Sequence, residues 1–432
     1  MFNVLVGNGF SANGDPKKAA REAGKKALRG LKGKKPTISY VFFAGDYDPQ
    51  KISDGLKETL GKTEFIGGTA DAVFFEDKIE RTGVVVASVY SEYLHVGISS
   101  IEGISKDPKG LSKKVTSEAL SKISIDKYID PYLQFTRMRS GNVKWMVKKP
   151  SFYITVFAKG MKLPQMGEET KIIQGITEEV GFNVPIWGGS MGVHLEKLFE
   201  QKPYEIYLLH SGKVLKDGLI IAVNSTSLMY GESLVHGTER TNKIGFISGV
   251  TGGGYIITGI SGKNPVEWYC EQLGIKKEEF VKKSLVLTQQ HPLGIPDNYG
   301  GYIIRAGGVP AGENLAFTVT FEEGWPVYIM ESTPKSMATA PQKVVEDLYK
   351  NTNENKPALA LAIICASCRV VEGEKGVTQN LKDLKKNLGG APLIGFSSFT
   401  EIGSKEGVPT TVQHEATTLL TLYDKLLHQV KN

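Results

Sequence analysis

The residues whose types and spacing could do chemistry are a cysteine pair, a few histidines, and isolated charges set beside glycines. Cys365 and Cys368 form a Cys-x-x-Cys pair with Arg369 directly after it. That spacing serves redox exchange when it opens a helix and one thiol has a lowered pKa. It serves zinc when a second ligand pair exists, and the only other cysteine is Cys270. Ala358 to Cys365 reads as a buried strand, so the thiols read first as small core residues and second as pocket-lining groups beside Arg369. A thiol-dependent enzyme using Cys365 or Cys368 would need a histidine base within reach. Arg305 ends the apolar run Tyr302-Ile303-Ile304-Arg305 next to Gly307-Gly308. A guanidinium fork with small neighbours suits a carboxylate ligand, and a surface salt bridge explains it equally well. Glu401 and His414 follow the segment that holds Ser397. The carboxylate could hold an ammonium group and the imidazole could donate or accept. Together with Arg305 they could bracket an amino acid.

The seven histidines include no HxH or HxxxH pair, so no metal centre is expected. One axial histidine suffices for haem, which keeps a haem-based gas sensor open, although no Cys-x-x-Cys-His attachment site exists. Gly252-Gly253-Gly254 lacks the Lys-Ser/Thr of a phosphate-binding loop. No GxGxxG motif is present, and Gly188-Gly189-Ser190-Met191-Gly192 resembles a nucleophile elbow only in flavour, since its serine position recurs as Thr69 and Ser397 and a nucleophile is not expected in three copies.

The elements that position these residues recur. Asp15-Pro16 and Asp48-Pro49 each read as a helix N-cap followed by proline in the first turn. Thr37 to Ala44 reads as a strand. Three short apolar runs enter a glycine motif: Phe65-Ile66-Gly67-Gly68-Thr69, Ile186-Trp187-Gly188-Gly189-Ser190 and Leu393-Ile394-Gly395-Phe396-Ser397. Each follows a strand–helix pattern and precedes a closing strand. This predicts a long-period internal repeat, with the third copy opening at Pro326 to Met330 and the glycines acting as strand-to-hairpin turns. Tyr302 to Arg305 and Leu315 to Phe321 are expected to pair. The predicted fold is α/β (or α+β): layered mixed sheets built from repeated βαβαββ units, with outer helices, in two modules. The expected modules are 1–238, with two repeats, and 239–432, with the third repeat and a Gly-rich strand segment.

Composition sets outer bounds. The chain has 432 residues, 41% hydrophobic and 23% charged, with a formal charge of +6. So mild a charge does not by itself imply nucleic acid, and Lys113-Lys114 and Lys148-Lys149 read as solvated surface. Three cysteines fit a reducing compartment. No apolar run approaches the about 20 residues of a spanning helix, and residues 1–14 do not read as a signal peptide. A cytoplasmic location is expected, with no membrane partner.

Taken in order, several segments resemble the FIST family, with both its N-terminal and C-terminal modules. They are the Ala- and Lys-rich first helix, Thr37 to Gly45, the first glycine motif, Ile260 to Tyr269, and His291-Pro292-Leu293-Gly294-Ile295. Tyr302 to Arg305, Glu323 to Val327, Pro392 to Ser398, Thr400 to Gly403 and His414 to Thr417 complete the likeness. Two departures stand out. Arg369 comes one place later than in the family's Cys-x-x-Arg, and Glu415 replaces the Asn of its His-Asn-x-Thr. The resemblance implies a sensory module that binds a small molecule such as an amino acid, is not catalytic, and signals through a partner protein. Some relatives are haem-binding sensors. The expected ligand set is Arg305, Cys365, Arg369, Ser397, Glu401 and His414.

Overall fold

The computed structural model describes residues 2–123, 152–162, 165–200, 202–354, 356–405 and 408–427. Lys148, Lys149 and His428 lie outside them. The first repeat runs β1 (Leu5–Ser11), α1 (Pro16–Arg29), β2 (Ile38–Ala44), α2 (Pro49–Leu60), β3 (Phe65–Thr69), the hairpin β4 (Val73–Phe75) and β5 (Lys78–Glu80), and β6 (Gly83–Tyr90). Both helices start as the sequence predicts. Asp15 accepts from Lys18 N–H, and Asp48 accepts from the N–H groups of Gln50 and Lys51, with proline next in line.

The second repeat has the same order: β7 (Leu94–Glu102), α3 (Pro108–Ser121), β8 (Phe152–Lys159), α4 (Glu169–Val180) and β9 (Ile186–Met191). A short helix α5 (Glu196–Phe199), the hairpin β10 (Leu208–His210) and β11 (Lys213–Leu215), and β12 (Gly218–Thr226) follow.

The third repeat opens with β13 (Leu228–His236). An inserted unit comes next: β14 (Glu239–Thr251), β15 (Ile256–Ile260), α6 (Pro265–Leu273), α7 (Lys277–Gln290), β16 (Leu293–Pro296), β17 (Tyr302–Arg305), β18 (Val309–Ala311), β19 (Asn314–Ala316) and β20 (Pro326–Glu331). The repeat then resumes with α8 (Pro334–Met337), α9 (Ala340–Thr352), β21 (Leu359–Cys365), α10 (Ala366–Asn387), β22 (Leu393–Ser398), the hairpin β23 (Glu401–Gly403) and β24 (Thr411–Gln413), and β25 (Ala416–Leu426).

Each repeat builds a six-stranded mixed sheet from its own four long strands plus the hairpin of another repeat. The orders are β1-β6-β2-β3-β10-β11, β7-β12-β8-β9-β23-β24 and β13-β25-β21-β22-β4-β5. The hairpins are thus exchanged in a closed cycle. The stitch is the same three times: the N–H of Thr69, Ser190 and Ser397 donates to the carbonyl of Tyr207, Thr400 and Ala72, at 2.9, 3.0 and 2.8 Å. The inserted unit forms a seven-stranded antiparallel sheet, β17-β16-β20-β14-β15-β19-β18.

The three glycine motifs are equivalent, but as mid-strand positions rather than turns. Gly67, Gly188 and Gly395 sit within β3, β9 and β22, in register with Val41, Val156 and Ala362 of the neighbouring parallel strand. A Cβ on any of them would lie 1.7 to 1.8 Å from that neighbour's carbonyl oxygen. Close backbone approach, not turn geometry, requires glycine here. Gly395→Ala should therefore cost at least about 2 kcal/mol, read as a lowered thermal midpoint. Gly14→Ala, with nothing within 4 Å of the added carbon, should stay within about 0.5 kcal/mol.

Two further expectations are corrected. The third repeat opens with β13, because Pro326 to Met330 (in β20) pairs with β14 and β16 inside the inserted sheet. Tyr302 to Arg305 pairs with β16, and of the second expected strand, Leu315 to Phe321, only Leu315 and Ala316 are extended, within β19 against β15 and β18. Sequence adjacency suggested the wrong partners because the intervening Gly-rich loops are long enough to reach others. The three sheets share one apolar centre, where Phe42, Phe157 and Phe396 form a triangle with ring centroids 4.4 to 6.0 Å apart. Phe396 stands where the other repeats carry Gly68 and Gly189.

Candidate ligand site

The parallel strands β21 and β22 end together at Cys365 and Ser398. In α/β sheets, the crevice beyond the carboxyl ends of parallel strands is where ligands bind. A cavity of about 60 Å³ lies there, between the third repeat, the second repeat and the inserted sheet. Its polar lining is Gln289 from α7, Thr318, Ser367, Ser398, Thr400 and His414, with Leu195, Leu285 and Phe399 among the apolar walls.

His414 is held in one state. Ala306 N–H donates to its Nδ1 at 3.0 Å, so the neutral ring carries its proton on Nε2. Nε2 faces the hydroxyls of Thr318 and Thr400 at 3.2 and 3.5 Å. Burial, reinforced by the charge of Arg305, pushes its pKa down to about 3, so it is neutral at any ordinary pH. Gln289 is 3% exposed. Its Nε2 donates to Ser367 Oγ at 3.2 Å, and its Oε1 has no partner. A buried, unsatisfied acceptor costs about 1–3 kcal/mol, and this one belongs to a residue that lines the cavity.

Glu401 lies one hydroxyl behind the wall. Ser398 Oγ donates to its Oε1, and Ala416 N–H donates to its Oε2 at 3.3 Å. Register shows how unusual it is. Glu401 faces Gly189 across the strand pair, where the equivalent positions of the other repeats are Leu208 facing Gly68 and Val73 facing Phe396. The fold accepts an apolar residue at this position, so the carboxyl is not there for packing. Burial raises its pKa to about 8. Glu415, which accepts from Ser332 Oγ at 2.6 Å, is raised to about 8 for the same reason. Glu169, at the start of α4, is raised to about 7 and makes no close hydrogen bond through either oxygen.

The structure divides the residues expected from sequence. His414 lines the cavity. Ser397 uses its N–H on the hairpin stitch and its carbonyl on Asp71 N–H, while its neighbour Ser398 faces the cavity. Cys365 sits behind the wall against Glu401. Arg305 is buried, but it donates from Nη1 to the Val412 carbonyl and lines a different cavity. Arg369 lies in an ion-pair network that ties all three repeats. It reaches Asp71 at 3.0 Å and Glu196 at 2.8 Å, and Arg81 reaches the same two carboxylates at 3.0 and 2.6 Å. Burial opposes charge on Glu196, yet the hydrogen bonds from Arg369 and Arg81 hold its carboxyl down to about 2. Asp71, His194 and Glu196 each bring a potential ligand atom within 4.8 Å of the others. The two guanidinium groups already occupy both carboxylates, and His194 Nδ1 donates to the Asp71 carbonyl at 2.9 Å.

The cysteine pair sits differently from expectation. Cys365 ends β21 and caps α10, with Cys368 in its first turn, which is the helix-start placement of a redox pair. The thiols lack the matching electrostatics. Burial, and then the charge of Glu401, push Cys365 well above the ordinary thiol range, and burial does the same to Cys368. All three cysteines are free and buried. A disulfide reagent should react with none of them promptly in native protein and with all three in denaturant. A fast-reacting Cys365 would revive the thiol-enzyme reading. Haem does not fit at His414, since cavities for ligands of that size run to about 300–1,000 Å³.

Sequence reading missed Gln289, Thr318, Glu169 and Asp71. A glutamate in a first helical turn or a glutamine in a last one is ordinary. Aligning the three repeats would have flagged Glu401 most strongly, since valine and leucine stand in its place.

No curated protein sequence matches the chain. Solved structures that align with it include T. maritima PurL complexed with ADP, at 11% identity over 97% of this chain and 72% of that one, TM-score 0.22. PurLQS from Thermotoga maritima aligns at 11% over 98% and 74%, TM-score 0.21. Scores this low carry no argument. The family comparison is different in kind, because it covers most of the chain: a FIST N domain matches residues 38–263 and a FIST C domain residues 265–404. The chain therefore belongs to the FIST family, whose domains are small-ligand sensory domains of signalling proteins.

Proposed function

We propose that this chain is a non-catalytic cytoplasmic sensor for a very small amino acid or carboxylate, that the His414 cavity is its binding site, and that it signals through a partner protein. The observation that carries the reading is the buried, unpartnered Oε1 of Gln289, a residue that lines that cavity. Size supports it. A water needs about 10–15 Å³ of such space, so about 60 Å³ suits a handful of heavy atoms, as in glycine, alanine or acetate. Polarity supports it too. The Nε2–H of His414 and the hydroxyls of Thr318 and Thr400 offer donors to a carboxylate. Gln289 Oε1 and Ser398 Oγ, with Glu401 behind, offer acceptors to an ammonium group. A ligand here touches the third repeat and the inserted sheet at once, so it would favour one packing of the two, a population shift.

A thermal-shift screen of amino acids and small carboxylates tests this. A small amino acid or carboxylate should raise the midpoint of the parent protein, and Gln289→Leu should abolish the rise while folding normally. A screen in which no such ligand shifts the midpoint, or in which Gln289→Leu responds like the parent, would count against the site.

A further inference from the structure

A second cavity, about 310 Å³, lies on the other side of the seam between β17 and β24. The seam is narrow: Arg305 bonds the Val412 carbonyl on one side, and Ala306 N–H bonds His414 on the other. Ile173, Val184, Ile186 and Ile303 contribute to its walls, and Phe182, 75% exposed, stands among its lining residues. Two residues that line this cavity carry buried polar atoms without a hydrogen-bond partner. One is Nε of Arg305, a side chain 4% exposed; the other is the Thr170 hydroxyl. The lining also includes Glu178, whose charge is met by Lys109 at 2.6 Å and Lys113 at 4.0 Å. Glu169 is the carboxyl whose charge acts on Arg305, yet it forms no ion pair with it. A buried guanidinium with no anion in contact among the described residues carries a large desolvation cost unless something pairs with it.

We propose that this cavity binds a carboxylate with an extended apolar tail, its head group on Arg305 and the Thr170 hydroxyl and its tail along the isoleucine and valine walls. The ligand class follows from the pairing of one buried cation with walls whose exposed surface is largely apolar: the tail gains by burial in proportion to its apolar area, and the head supplies the missing anion. The site shares no residue with the His414 cavity, so it stands or falls separately from the function proposed above.

Isothermal titration calorimetry with octanoate, octan-1-ol and acetate tests it. Octanoate should bind one-to-one, with octan-1-ol and acetate each at least about tenfold weaker. Arg305→Gln should weaken octanoate about tenfold or more, and Thr177→Phe, which fills the cavity from α4 without touching Arg305, should abolish binding. The proposal is overturned if octanoate gives no heat at about 1 mM, if octan-1-ol binds equally well, or if Thr177→Phe leaves octanoate binding unchanged. The alcohol comparison and the Thr177 variant decide the matter even if Arg305→Gln does not fold.

Discussion

Replacing both Arg81 and Arg369 with leucine should cost on the order of 4 kcal/mol or more, well above the sum of the two single replacements. Asp71 is fully buried, and its carboxylate contacts both guanidinium groups. It also accepts from Leu195 N–H at 2.8 Å. With one arginine gone, the other still pairs with it, and each single loss should cost about 1 kcal/mol. With both gone, a buried carboxylate has no cation, which is the costly case for an ion pair. The network also joins the first repeat (Asp71, Arg81), the second (Glu196) and the third (Arg369), so its loss should loosen the junction on which the His414 cavity depends. A double-mutant cycle by chemical denaturation measures the coupling. Additive losses would show that the two arginines act separately and that the network does not pin the repeats.

The second large effect concerns pH. Glu401 has a folded pKa of about 8 against the ordinary 4.5. Between these values the native state holds a proton that the unfolded chain has released. Its contribution to stability is thus complete below about pH 4.5 and is lost as pH rises toward and through about 8. Glu415, at about 8, and Glu169, at about 7, act in the same direction. Glu401→Gln keeps the shape and removes the titration. The variant should match the parent near pH 5 and exceed it at pH 9 by on the order of a few kcal/mol. Glu401→Leu restores the type of residue that the first and second repeats carry at this position, and it should show the same gain while losing ligand response. Equal pH profiles for parent and Glu401→Gln would mean that Glu401 is solvated or paired in solution.

Much of this arrangement was legible in the residues. Asp-Pro caps, alternating strand runs and three glycine motifs disclosed the repeat and the α/β class, because each is a local signal. Hairpin exchange was not legible. The residues of β4, β10 and β23 specify a hairpin, and which sheet they join depends on packing between repeats. The glycines were recognised and their role misread, since a carbonyl 1.7 to 1.8 Å from an absent Cβ belongs to a strand distant in sequence. Arg305, Glu401 and His414 were singled out for their chemistry and are all buried, yet the turn of one residue along β17 sends Arg305 and Ala306 to opposite sides of the seam. Gln289 carried no signal, because an unsatisfied amide oxygen exists only once the helix is packed.

A crystal structure grown with the ligand that gives the largest thermal shift tests the central claim most directly. The expected result is a molecule of a few heavy atoms in the His414 cavity, within hydrogen-bond distance of His414 Nε2 and Gln289 Oε1. Density for that ligand elsewhere, with only water beside His414 and Gln289, would contradict it.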